Sequence, residues 1–278
     1  MNYSTLSIFN RIDQYSGSSS WQESHYLPFS HAKNRIRGMN SPATNVLKSA
    51  AILCLLTGWI EFCLAAEATD RNIRVVREYV EAEQRANFPE LLTEYGQNKQ
   101  LPEGYELQAL LALSHYPALK EVKIQFVLGD VGIPISSRPY LASMLNSARN
   151  RTYKVIIDTE REGGRGALLL KNQPFNAQVG IIGHELAHTV YYLDRSFFGI
   201  AADAICQLNN CRIQFERKTD RRLVDYGLGW QRFDHASFVR GSFSSNSSQL
   251  STAEGGGGAY MSPAELLSII QNHPAYSD

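Results

Sequence analysis

NAQVGIIGHELAHTVYYL, residues 176–193, decides how the rest of this chain reads. Its apolar residues recur at helical spacing, and inside it GHELAH places His184, Glu185 and His188. Residues four apart share one helix face, a turn along. Two imidazoles so placed can aim neutral nitrogens at one ion, at the roughly 2.0–2.1 Å typical of zinc. Glu185 lies about 100° further round the helix, near enough to act as a base toward water activated there without being forced to ligate.

A catalytic zinc site needs a third protein ligand and keeps one position open. FERKTDRRLVDYG, residues 215–227, falls on a predicted helix from Ile213 to Tyr226, stopped by Gly227 and Gly229. Glu216 and Asp220 are again four apart and share a face. Glu216 can complete a His2Glu set, and Asp220 can accept the hydrogen on the far nitrogen of a ligating His, which fixes tautomer and ring orientation. Asp225 is the rival third ligand, but it stands about 140° from that face relative to Asp220. The rest of this mixed-charge run, with Arg217, Arg221 and Arg222, reads as a solvated helix face.

Outward from these helices the pattern changes. VKIQFVL (122–128), YKVIID (153–158) and ALLL (167–170) read as strands, the last two joined as an antiparallel hairpin through EGGRG (162–166). Helices are predicted over 70–98, 107–113, a short stretch near 139–148, and 197–208. The aromatic set Tyr191, Tyr192, Phe197 and Phe198 reads as core packing beside a bend. Ser262, Pro263 and Glu265 form a capping box before a closing helix in 259–278. The fold class is α+β: a small, mostly antiparallel sheet followed by metal-bearing helices.

Composition limits the alternatives. Among 278 residues, 44% are hydrophobic, and 27 Lys+Arg balance 27 Asp+Glu, with a pI near 7.1. That balance, with no long basic run, leaves no electrostatic footprint for nucleic acid. Four cysteines cannot make a disulfide scaffold of a chain this size.

SAAILCLLTGWIEFCLAA (49–66), with Lys48 before it, is apolar except for Glu61. It is short for a bilayer span and fits a secretory signal cleaved after Ala68, with Met39 as the start and 1–38 as an upstream extension. The alternative is a retained anchor at 49–66. The organisation is then 1–38 extension, 39–68 leader, 69–240 catalytic domain, 241–258 Ser/Gly-rich linker and 259–278 closing helix. Cys206 and Cys211 are the thiols left after the leader, and an oxidising compartment favours pairing them.

HELAH followed on a later helix by E-x-x-x-D resembles the gluzincin zinc metallopeptidases. It is most similar to the branch of CAAX prenyl endopeptidases and bacterial envelope quality-control proteases. The resemblance spans about 174–229 and lacks that branch's transmembrane helices. It implies a zincin-like fold holding one Zn2+ per chain on His184, His188 and Glu216, with Glu185 as catalytic base and Asp220 behind the ligands. The implied activity is hydrolysis of a peptide or protein substrate in the periplasm or outside the cell, with membrane contact only through an uncleaved N-terminal segment. Candidate oxyanion donors are His235, Tyr226 and Tyr260, and the 167–170 strand would suit an edge that pairs with extended peptide. The alternative is a zinc-binding pseudoenzyme or structural envelope protein without turnover.

Overall fold

A computed structural model describes residues 73–129, 135–159, 166–209, 211–243 and 258–277, all within the unit Asp70–Asp278. The extension at 1–38, the leader at 39–68 and most of the 241–258 linker lie outside the described residues. Along the chain run α1 (Glu81–Ala86), α2 (Phe88–Tyr95), β1 (Lys99–Gln100), α3 (Glu106–Leu113), β2 (Lys123–Gly129), β3 (Ile135–Pro139) and β4 (Thr152–Asp158). The helical half follows: α4 (Phe175–Leu193), α5 (Phe197–Asn209), α6 (Arg212–Asp225), α7 (Gly229–Ser242) and α8 (Pro263–Asn272). The class is α+β, with one four-stranded sheet among the described residues. None of the described helices is long and apolar enough to cross a membrane.

The central element is α4. Its residues from Ala177 to Val190 are all buried, as expected of a helix apolar on every side. It touches β3 and β4 on one flank and α3, α6 and α7 on the others. Gly180 permits the α7 crossing, because a Cβ there would sit 2.1 Å from the Gln231 carbonyl oxygen. The chain leaves α6 through Gly227 at φ +86°, a conformation that L side chains rarely adopt. Behind α4, Ile182 and Leu186 join Leu110, Ile124, Phe126, Ile157 and Leu223 in one continuous core.

The sheet departs from expectation. Its order is β1-β2-β4-β3; β1–β2 and β2–β4 are parallel, and β3–β4 alone is antiparallel. The sheet is therefore mostly parallel rather than mostly antiparallel. The expected strand at 167–170 is two 3-10 turns, Gly166–Leu168 and Leu170–Asn172. Leu168, Leu169 and Leu170 are all buried; Leu168 packs with Val239 and Phe243, and Leu170 enters the main core. A short apolar run without alternation cannot by itself be told from such a turn, and β4 already has β2 and β3 on its two edges.

The sheet edge near α4 is instead β3. Ser136 and Arg138 pair with Ile156 and Lys154, and Tyr140 N–H donates to the Thr152 carbonyl at 2.8 Å. By antiparallel alternation, the main-chain groups of Ile135 and Ser137 therefore face away from β4. Pro139, at the end of this edge, removes a donor that the ladder does not use.

Three further readings are corrected. Residues 73–80 precede α1 without helix, because tertiary partners hold them. Arg74 donates to Ser114 Oγ at 2.6 Å, and Tyr79 N–H donates to Asn176 Oδ1 at 2.8 Å. The short helix near 139–148 is replaced by 3-10 turns at Leu141–Ser143 and Ala148–Asn150. Of the aromatic set, Tyr192 is buried, whereas Phe197 and Phe198 are 40% and 80% exposed. The closing capping box forms, with Ser262 Oγ accepting from Glu265 N–H and Glu265 accepting from Ser262 N–H.

Candidate metal centre

Two turns of α4 and two of α6 bring His184, His188 and Glu216 together, each buried, with their ligating atoms within 4.8 Å of one another. His184 Nε2 and His188 Nε2 are 3.1 Å apart, and Glu216 Oε2 lies 3.1 Å from the first and 3.2 Å from the second. Donors bound tetrahedrally at roughly 2.0–2.1 Å from zinc stand about 3.3–3.4 Å apart. The triangle of donor atoms has nearly that edge.

Hydrogen placement strengthens the point. His184 Nδ1 lies 2.9 Å from Asp220 Oδ1; an ionised carboxylate only accepts, so the imidazole hydrogen is on Nδ1. His188 Nδ1 lies 3.2 Å from Thr219 Oγ1, whose own hydroxyl donates to the Phe215 carbonyl at 3.0 Å. That hydroxyl has one hydrogen, so its oxygen accepts from His188 Nδ1. With both rings neutral, three lone pairs converge on one point with no hydrogen among them. Such an arrangement needs a cation, either a proton or a metal ion.

The carboxylates are tuned to match. Burial alone would raise Glu216, but its contacts with His184 and His188 outweigh burial and hold it well below the ordinary carboxylate range. Asp220 is also depressed: Arg232 and His184 overcome its burial. Burial pulls His184 down, yet Asp220 and Glu216 prevail and leave it raised to about 9. Without metal, His184 therefore holds the proton that its neighbours require.

Asp220 is a junction. Besides His184 it accepts from Arg232 Nε at 2.7 Å and from Met261 N–H at 2.9 Å. One carboxylate thus ties α4, α6, α7 and the entry to α8. Glu185, about 100° round α4 from His184, reaches β3. Burial raises its pKa against the opposing pull of His188 and His184, and the Ser137 main-chain N–H donates to it. The same serine's Oγ lies 2.9 Å from Thr189 Oγ1, fastening the strand to the helix one turn beyond Glu185.

The remaining candidates separate cleanly. Tyr260 stands at the centre, its ring 5.5 Å from that of His184 and edge-on to it. Burial, with the charges of Glu216 and Glu185, keeps its phenol protonated and so a donor. His235 is buried on α7, its Nδ1 2.8 Å from Gln173 Oε1. Gln173 Nε2 donates to the Leu168 carbonyl, so Oε1 accepts and His235 spends its hydrogen there. Burial, reinforced by Arg232 and His184, pushes His235 well below its usual pKa, which leaves its second nitrogen without a hydrogen to offer an oxyanion. Tyr226 lies at the far end of α6, about 15 Å along the axis from Glu216, with its ring 4.8 Å from Tyr116. Asp225 faces His273 at 3.4 Å, its side chain 63% exposed, and takes no part in the centre. Cys206 and Cys211 are joined by a disulfide that closes the α5–α6 turn.

Three contributors escaped the sequence reading: Thr219, Arg232 and Ser137. Thr219 had a signal, lying three residues after Glu216 and so on nearly the same face. Arg232 and Ser137 had none, since each reaches the centre through packing of a distant element. No family model, curated protein or solved structure matches the chain.

Proposed function

We propose that this chain is a zinc-dependent metallopeptidase of zincin-like architecture, acting on peptide or protein substrates in the periplasm or outside the cell. The observation that carries the reading is the convergence of three ligating atoms from His184, His188 and Glu216, with a buried carboxylate, Glu185, beside them. When bound, zinc supplies Lewis acidity, lowering the pKa of water and polarising a carbonyl.

The chain's own groups supply the rest. Glu185, desolvated and held by the Ser137 N–H, takes a proton from the attacking water and returns it to the leaving amine. Its raised pKa suits both transfers, because a base that is too acidic holds the proton poorly. The Tyr260 phenol is the donor available to the developing oxyanion. On β3 the Ser137 N–H is taken by Glu185, and the outward-facing main-chain groups of Ile135, with the Ser137 carbonyl, offer an extended peptide an edge to pair with. In this reading the substrate pairs with β3 rather than with 167–170, the edge that the sequence suggested.

The test compares zinc content and turnover in one preparation. The wild-type chain should retain about one zinc and cleave an unfolded protein substrate. Glu185→Gln should keep the zinc and lose at least roughly a hundredfold in kcat. A variant of normal activity removes Glu185 from the role of base. Wild-type protein that holds zinc yet cleaves no peptide in a broad substrate library would favour the pseudoenzyme.

A further inference from the structure

Nine large apolar side chains stand exposed among the described residues, and seven of them fall in two segments, 140–145 and 197–213. The most exposed are Leu145 at 90%, Phe198 at 80%, Leu141 at 64% and Ile205 at 61%. On α5, Phe198 and Ile205 share a face with Ala202, at the i, i+4, i+7 spacing of one helical stripe. A surface helix normally turns such a stripe inward.

The two segments are neighbours. The buried Arg151 guanidinium donates to the Asn146 carbonyl at 3.1 Å and to the Arg195 carbonyl at 2.7 Å. One planar group therefore spans the main chain beside Leu145 and the main chain just before Phe197. The loop is not loosely hung: Ser143 and Met144 are buried, and Ser143 Oγ accepts from Thr152 N–H at 3.0 Å. Leu141 and Leu145 are thus presented outward on a pinned turn.

The rim of this patch is basic. Residues 138–154 contain no acidic residue, and besides the buried Arg151 they carry Arg138, Arg149 and Lys154. The Lys154 ammonium lies 4.2 Å from the Tyr140 ring centroid, at the margin of the apolar surface. Alongside α5, α6 exposes Arg212, Lys218 and Arg221. Of its three acidic residues, Glu216 and Asp220 are buried in the metal centre and Asp225 faces His273 at the far end of the helix. Near α5 the exposed Asp194 stands beside an Asp203 paired with Arg195. A chain of zero net charge thus sets more basic than acidic side chains round this exposed apolar surface.

We infer that this face docks on a bilayer surface bearing anionic headgroups, with Leu141, Leu145 and Phe198 entering the acyl boundary and the basic rim lying among the phosphates. Apolar side chains in the interface and Lys/Arg among headgroups are the two terms that bind amphipathic surfaces to membranes. A second copy fits less well, because a two-fold pairing through this face would set one basic rim against another. α5 continues through the disulfide-closed turn into α6, which carries Glu216 and whose Phe215 stacks on His188 at 5.0 Å.

Residues 49–66 are apolar enough to partition by themselves, so the readout must be local to the face. Leu145→Trp, Phe198→Trp and, as control, Leu92→Trp are made in the full chain with Trp21, Trp59 and Trp230 each changed to Phe, so that the introduced Trp alone reports. Each is mixed with phosphatidylcholine vesicles with and without phosphatidylglycerol, carrying brominated acyl chains as quencher. Trp at 145 and 198 should shift to the blue and be quenched on the phosphatidylglycerol vesicles, with the effect fading as salt rises, while Trp at 92 stays in water. In the native background, Leu145→Glu with Phe198→Glu should lower the partition coefficient on the order of tenfold or more, with an unchanged melting temperature. Equal quenching at 92 and 198, or none at 145 and 198, overturns the inference. A dimer by sedimentation that Phe198→Glu dissociates does so too, by assigning the face to a second copy.

Discussion

Replacing Asp220 by alanine should cost this protein more than the loss of any ligand. Its carboxylate is fully buried and accepts from His184 Nδ1 at 2.9 Å, Arg232 Nε at 2.7 Å and Met261 N–H at 2.9 Å. Truncation leaves the Arg232 guanidinium, whose side chain is 2% exposed, as an uncompensated buried charge. Breaking a buried pair in this way costs about 3–5 kcal/mol, and freeing the His184 ring should weaken zinc binding roughly 10–100-fold. The first quantity is read from urea unfolding of the metal-free protein in chelator. The second comes from competition with a chromophoric chelator, in a temperature range where the variant is folded. Asp225→Ala, removing a mostly exposed carboxylate, should change unfolding by less than about 0.5 kcal/mol. An Asp220→Ala protein within about 1 kcal/mol of wild type would mean that Arg232 finds another partner, and the junction would lose its structural meaning.

Zinc affinity should rise with pH through the neutral range. His184 is raised to about 9 in the metal-free protein, so binding must expel its proton; the apparent constant should gain about tenfold per pH unit and flatten above that pKa in a buffered titration. The sign reverses for folding of the metal-free chain. A histidine whose folded pKa lies above its unfolded value contributes stability fully below about 6.5 and loses it as pH climbs through the folded pKa. Unfolding midpoints in chelator should therefore fall between about pH 6.5 and 9 in proportion to that proton. Glu216→Ala should release zinc far more readily than Asp225→Ala in dialysis followed by metal analysis, and the opposite order would reassign the third ligand. Gly180→Ala should destabilise by about 1–3 kcal/mol in thermal unfolding, since its Cβ would meet the Gln231 carbonyl at 2.1 Å; a neutral result would show that α4 and α7 can move apart freely.

The local side of this protein is written in short-range pattern. Helical spacing in 176–193, the four-residue steps His184–His188 and Glu216–Asp220, and the Ser262–Glu265 cap all depend on neighbours a turn away, and all take the predicted helical form. Class α+β follows from the same alternation of strand and helix signals. The errors share one cause. The run at 167–170 is apolar because it is buried, not because it is paired. Residues 139–148 turn too tightly for a helix, and 73–80 stay extended because Arg74 and Tyr79 find partners on α3 and α4.

Long-range contacts account for what periodicity leaves open. Whether strands pair parallel or antiparallel depends on how the chain crosses between them, and two alternations of identical pattern can close either way. The parallel β2–β4 pairing leaves β3 as the edge beside Glu185, and close approach of α7 at Gly180 brings Arg232 beneath Asp220. A tyrosine following a Gly-rich stretch reaches His184 because Met261 is bonded to that same aspartate. A chain can encode which residues share a helix face within a few positions, but the meeting of Ser137, Glu185, Asp220, Arg232 and Tyr260 needs elements separated by tens of residues to pack in one arrangement.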